Sequence, residues 1–268
     1  MPISNAEPSE LREALRRQGR VLFAVMLRNI RTRFFGHGLG YLIAIGWPLA
    51  HTLILLLIFA FSNRAPPVGE SGALFLATGA VPFMTFSYLS RFMMMSLMAT
   101  RPLLSFPEVK MLDVLFASAA LELLASCCVT ILLLVCAWIY DIPSMPRDIV
   151  EAAYAFGAAA LLGMGFGLMN GVIVMAMPFW MTFYSLSMIL FWLTSGVPYV
   201  ADALPEPLRT MISYHPVAML VEWMRSAYYE GYGVGLLDRS YVLKWGVGSA
   251  FLGLALERGM RGHLLALR

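Results

Sequence analysis

The chain has 268 residues, 60% of them hydrophobic and 13% charged, with a mean hydropathy of +0.74. Soluble domains are roughly 45–50% apolar and about 25% charged, so this composition excludes a water-soluble globule, which has no means of hiding so much apolar surface at this size. The net charge of +3 is small and calls for no nucleic-acid partner; what informs is where the basic residues fall.

From the N-terminus, residues 9–35 are expected to form an amphipathic helix lying in the membrane interface. With Ser9 as N-cap, Leu11, Leu15, Leu22, Val25, Met26 and Phe34 recur at helical spacing, and Arg12, Arg16, Arg20 and Arg31 populate the other side. The apolar stretch VLFAVML is flanked by arginines and followed by no small-residue cleavage site, so it does not read as a cleavable signal. Six spans are then predicted, at 41–61, 72–98, 112–140, 152–177, 180–199 and 241–256. A crossing needs about 20 apolar residues. The first span meets this without a single charge, whereas the last carries Lys244 close enough to its end to snorkel.

An even number of crossings puts both termini on one face. Placing them in the cytoplasm gives that face twelve basic residues, in 1–40, 99–111 and the tail, against Arg64, Arg147, Arg209, Arg225 and Arg239 on the other. The excess of positive charge inside favours this orientation.

Residues 200–234 are too apolar for a solvated loop and too broken, by Pro205, Pro207 and His215-Pro216, for a crossing. Val217 to Glu230 is helical in pattern, with Ala218, Val221, Met224 and Tyr228 on one side and Glu222 and Arg225, at i and i+3, on another. Its 14 residues rise about 21 Å, short of the roughly 30 Å hydrocarbon core. Two short helices that dip into the outer leaflet and return fit this length, beside a cavity that excuses the irregular backbone. His215, Pro216, Glu222 and Arg225 are the expected outer gate. An ordinary amphipathic surface helix with a tight turn is the other arrangement these residues allow.

Within the fourth span Ala155, Ala159, Gly163, Gly167 and Gly171 stand four apart, a small-residue stripe that lets another helix approach closely. Cys127, Cys128 and Cys136 lie in the third span without metal-ligand spacing, and His51 has no second ligand at i+3 or i+4, so no metal site is expected. Trp180, Tyr184, Ser187 and Phe191 follow one side of the fifth span, near Phe183 and Trp192, and Trp47 stands in the first. Such rings either line a path for sugar rings or mark the membrane interfaces. Arg91 and Glu122 lie deeper than the interface at similar depth, as a structural pair or as an inner gate.

A complete ATP-driven pump needs a G-x-x-x-x-G-K-[ST] phosphate loop. The two lysines, Lys110 and Lys244, neither follow a glycine nor precede Ser or Thr, so ATP hydrolysis calls for a separate chain. Gly69-Glu70-Ser71-Gly72 with His215 would be the raw material of an intramembrane serine hydrolase, although a solvated turn explains Ser71 more simply.

The six spans, the interfacial helix, the loop RPLLSFPEVKMLDV at Arg101 to Val114 and the LP…YHP…EWMR…YYEGYG series from Leu204 to Gly233 together resemble the membrane subunit of ABC-2 type exporters. The capsular polysaccharide export permease group, related to O-antigen exporters, is the most similar. The resemblance implies a single all-α domain over 1–268, of type V exporter architecture, working as an inner-membrane homodimer with two copies of an ATPase subunit. ATP and Mg would be bound by that partner and no cofactor by this chain. Periplasmic export proteins and a lipid-linked anionic polysaccharide are further implied partners, with an O-antigen, a drug or another amphipathic cargo as the alternative. The resemblance places ATPase coupling on Arg101, Pro102, Pro107, Glu108 and Lys110, which the residues alone would leave as a plain turn. His215 departs from the pattern, in which many relatives carry Asn. A secondary transporter is disfavoured because no paired discontinuous spans recur in the two halves.

Overall fold

The structure, a computed structural model, describes residues 8–32, 40–61, 65–106, 108–233 and 235–266. Among them every regular element is helical: α1 (Pro8–Thr32), α2 (Gly40–Phe61), α3 (Gly72–Ala99), α4 (Met111–Ile139), α5 (Ile149–Ala176), α6 (Trp180–Thr194), α7 (Leu208–Ser213), α8 (Pro216–Tyr228) and α9 (Arg239–Ala266), with short 3-10 turns at Arg101–Ser105 and Ala201–Ala203. Four of the helices, α2 to α5, are long and apolar enough to cross a membrane. They carry the first four predicted spans to within three residues at either end. α6 has 15 residues and stops at Thr194, short of the predicted Tyr199. Gly196, at φ +77°, and Pro198 turn the chain there. α9 is longer than predicted, 28 residues against the span 241–256, but charges at both ends dilute its apolar character.

α3 and α5 form the centre. Buried residues make up 61% and 72% of their most apolar stretches, against 17% for α2 and 28% for α4, which turn Leu42, Ile54, Ile58, Leu124, Ile131 and Val135 outward. The apolar outward faces of α2 and α4 fit lipid as solvent, where only closed helical hydrogen bonding is tolerated. The small-residue stripe of α5 meets α3 of the same chain: Gly163 lies against Leu89 and the Phe86 carbonyl, and Gly167 against Met93, while Ala155 and Ala159 are fully buried. A second small face of α5 meets α9, where Gly165 sits against Ser249 and the Gly246 carbonyl, and Gly253 against Leu168 and the Met169 amide. Without a hydrophobic drive between helices in lipid, such close backbone approach is what holds them together.

α1 packs its apolar side on protein. Val25 is buried, and Val21, Leu22 and Met26 lie against the cluster formed by α3, α4 and α5, leaving Arg12, Arg16, Arg17 and Arg20 exposed. The expected face is therefore present but is covered by α4 and α2 as well as by any interface. Ser9, expected as the N-cap, already lies inside the helix, because α1 begins at Pro8. The side chains of Leu11 and Leu15, and Phe34 as a whole, lie outside the described residues.

Candidate functional site

α8 is buried along its length at the end of the bundle where α3 and α5 begin, wedged among α3, α5 and α9. Its charged pair, on the side of the helix away from the apolar residues in the sequence pattern, is not exposed. Glu222 and Arg225 are both fully buried, their charged atoms 3.9 Å apart. The Arg225 guanidinium donates through Nη1 to the carbonyls of Gly196 at 2.8 Å and Tyr199 at 3.0 Å, and through Nη2 to that of Val197 at 2.7 Å. It also stacks over the Phe75 ring at 3.8 Å. Tyr232 links the two charges, donating its hydroxyl to Glu222 at 3.0 Å.

Two glycines make this arrangement possible. A Cβ at Gly79 would stand 2.9 Å from Arg225 Nη2. The left-handed backbone at Gly196 turns its carbonyl toward the guanidinium, a conformation that side chains disfavour. Arg225 thus ties the α6–α7 connection, α8 and the start of α3 into one unit.

His215 caps α8: its Nδ1 accepts the Ala218 amide at 3.1 Å, and Pro216 occupies the first turn, where its fixed φ suits a helix start. Burial pushes the imidazole down to about 4, so it is neutral at physiological pH, as accepting that bond requires. Replacing His215 with Ala is expected to cost about 1 kcal/mol of stability and replacing it with Asn close to nothing, because Asn also caps. Thermal unfolding midpoints of the two purified variants in detergent check this. Around the same helix, Glu151 accepts from Trp223 Nε1 at 2.7 Å and from Arg239 Nε at 3.2 Å, joining α5, α8 and α9, and the Asp148 amide donates to the Ala227 carbonyl at 3.0 Å.

The predicted aromatic side of α6 turns inward. Tyr184 is buried and donates to Ser90 Oγ at 2.7 Å, and Phe191 packs edge-on against His215. Trp180 donates to Asn170 Oδ1 at 2.9 Å and leans on Phe183 at 5.0 Å. Phe183 is exposed, as is Trp47, which sits on α2. Glu122 is buried in the wall of a cavity of about 20 Å³ between α2, α3 and α4, shared with Thr52, Thr85, Tyr88 and Ser126, which is room for about one water. Arg91 is exposed on α3. His51 Nδ1 lies 3.4 Å from the Tyr88 hydroxyl.

At the other end of the bundle Arg101–Ser105 forms a 3-10 turn anchored by buried Leu104, with Arg101, Pro102, Phe106, Glu108 and Lys110 exposed; Pro107 lies outside the described residues. The sequence reading passed over Asp113. Buried at the start of α4, it accepts the Lys110 amide at 2.9 Å and the side-chain amide of Gln18, fastening α1 beside this turn. A carboxylate three residues into an otherwise apolar helix is the capping signal that could have revealed it. Ser71, the nucleophile of the hydrolase reading, is occupied in capping α3 by accepting the Leu74 amide at 3.3 Å.

Residues 20–229 match the sequence profile of the family described as ABC-2 type transporter. The chain is 29% identical to the polysialic acid transport protein KpsM of Escherichia coli over 235 residues, 88% of this chain and 91% of that one. It is 27% identical to the capsule polysaccharide export inner-membrane protein CtrC of Neisseria meningitidis serogroup A over 91% of this chain and 92% of that one. Its identity to BexB of Haemophilus influenzae, named in the same way, is 24% over 83% and 84% of the two chains.

Proposed function

The chain belongs to the ABC-2 type transporter family, and we propose that it is the membrane permease subunit of an ATP-driven exporter carrying capsular polysaccharide across the bacterial inner membrane. The observation that carries this reading is similarity over more than four-fifths of the chain to three proteins named for polysialic acid or capsule polysaccharide export. ATP and Mg belong to a separate ATPase, two copies of which act with two copies of this permease; the absence of a phosphate loop beside either lysine supports that division. The cargo is lipid-linked and anionic, and periplasmic proteins receive it.

The permease crosses six times, through α2 to α6 and α9, with both termini in the cytoplasm. The 28 residues of α9 rise about 42 Å, and the 15 of α6 about 22 Å before the turns at Ser195–Tyr199 extend them. The basic residues of α1, the 99–111 loop and the tail support the orientation. α7 and α8 form the re-entrant pair, with His215, Pro216, Glu222 and Arg225 at its base. The burial of α8 and its rise of about 20 Å support this. The turn at Arg101–Ser105, with Glu108 and Lys110, receives the ATPase, and the Asp113–Gln18 bond transmits its movement to α1.

The aromatic path runs along Trp47, Trp180, Phe183, Tyr184 and Phe191, with Arg91 and Glu122 as its charged element at depth. Of the aromatic rings, Trp47 and Phe183 stand clear of the protomer's core. Trp47→Ala with Phe183→Ala is therefore expected to leave folding unchanged and to lower surface capsule severalfold, measured by immunoblot of whole cells. Unchanged capsule would remove those rings from the path. The function as a whole is tested by copurification: an ATPase should come with the permease, and its turnover should rise with purified lipid-linked capsular polysaccharide.

A further inference from the structure

A groove of about 380 Å³ runs down the outside of the bundle between α5 and α9. Phe166, Met169, Gly248 and Leu252 line its apolar length, and Lys244 and Trp245 stand at its upper end. We propose that this groove is a binding site for an anionic glycerophospholipid, its phosphate on the Lys244 ammonium and an acyl chain laid over Gly248 toward Leu252.

Lys244 lies five residues into α9, about 7.5 Å along the helix axis, a depth at which a lysine stem packs along apolar surface while its head reaches the headgroup layer. Tyr241 and Trp245 flank it, with ring centroids 6.3 Å apart, and the Tyr241 hydroxyl is fixed to the Tyr214 carbonyl at 2.7 Å. Aromatic rings so placed sit at the level of the headgroups. The acids nearest this end of α9 are already engaged. Asp238 caps the helix by accepting the Tyr241 amide at 3.1 Å and the Ser240 hydroxyl at 2.8 Å, and Glu151 holds Trp223 and Arg239. Among the described residues Lys244 makes no ion pair within 4 Å; the Asp238 carboxylate at the start of α9 feels the lysine's charge only through space, so the three ammonium donors are open to an anion.

Below the lysine the groove is lined by no further charge, and position 248 leaves it open: a Cβ there would meet no atom within 4 Å. A cation above an apolar groove matches an anionic lipid. A free anion would leave the groove empty, and a zwitterionic lipid would carry its own cation to the lysine. The inference depends on the bundle standing in a membrane and is independent of the cargo.

Native mass spectrometry of the permease purified in mild detergent, then exchanged into mixtures of phosphatidylglycerol and phosphatidylethanolamine, tests it. The wild-type protein and Lys244→Arg should retain phosphatidylglycerol in preference. Lys244→Gln should weaken that retention about fivefold, the usual contribution of one lysine near a charged lipid surface. Gly248→Leu should fold normally and lose the retained lipid of either headgroup, since its Cβ meets no atom within 4 Å and the side chain extends into the groove. Phosphatidylglycerol retention that is equal in the wild type and Lys244→Gln, or that survives Gly248→Leu, would overturn the proposal. So would displacement of the lipid by inorganic phosphate at equal charge, which would leave an anion site only.

Discussion

Arg225→Ala is expected to cost about 3–5 kcal/mol of stability, the range for breaking a buried ionic arrangement by removing one partner. A folded domain has about 5–15 kcal/mol in total, so little of the variant should survive extraction as a folded protein. The change leaves the Glu222 carboxylate buried beside Tyr232 with its cation gone. It also strips the donor from the carbonyls of Gly196, Val197 and Tyr199 at the turn that ends α6. Each buried acceptor left without a partner costs about 1–3 kcal/mol unless water reaches it.

Lysine does not rescue the site. A single ammonium lacks the planar fork that serves three carbonyls from two nitrogens and lies over the Phe75 ring at 3.8 Å. Arg225→Lys should therefore fall nearer to Ala than to the wild type. Arg225→Met with Glu222→Gln removes both charges and should recover part of the loss. Unfolding midpoints in detergent, with far-UV circular dichroism to confirm helix content, read these differences directly. A midpoint for Arg225→Ala within about 2 °C of the wild type would mean the buried cluster contributes almost nothing, since even 1 kcal/mol shifts a protein of this size by about 2–4 °C.

The second large effect lies between α5 and α9. Gly165→Leu and Gly253→Leu should each cost at least the roughly 1–3 kcal/mol of an overpacked core, and should separate the two helices where a flexible neighbour would have yielded. A Cβ at Gly253 would lie 2.7 Å from the Met169 amide and 2.7 Å from Leu168 Cβ. One at Gly165 would lie 2.8 Å from the Gly246 carbonyl and 2.9 Å from the Ala250 amide. Backbone cannot step aside as a side chain does. Gly157→Ala, also in α5, is the control: its Cβ meets nothing within 4 Å, and alanine should be neutral or gain up to about 1 kcal/mol from helix propensity. Protease accessibility of α9 in membranes, compared across the three variants, measures the separation.

These two sites also mark where the sequence was legible and where it was not. The spans 41–61, 72–98, 112–140 and 152–177 could be read because a long uncharged run has few fates, and α2 to α5 stand where those runs lie. The stripe from Ala155 to Gly171 likewise identified a helix contact, although its partner, α3, could be known only from the fold. Glu222 and Arg225 read as a polar face because an i, i+3 charge pair usually is one. Nothing local announces that three carbonyls of the 196–199 turn converge on the guanidinium, 26 to 29 residues away.

Gly246 and Gly253, seven apart on α9, are a small-residue spacing legible in the sequence beside Lys244. The aromatic side of α6 shows the opposite failure. The periodicity of Trp180, Tyr184, Ser187 and Phe191 is real, but a shared helix face does not say whether it meets a cargo or the protein's own core, and Tyr184 is in the core.

The account stands most directly on where capsular polysaccharide is found when this chain is removed from the cell that encodes it. Fractionation of the deletion strain, with capsule quantified in intact cells and in lysates, is expected to show polymer made at normal levels but held in the cytoplasm, and surface capsule restored by the wild-type gene on a plasmid. Polymer reaching the surface in normal amount without this chain would contradict the assignment of export to it.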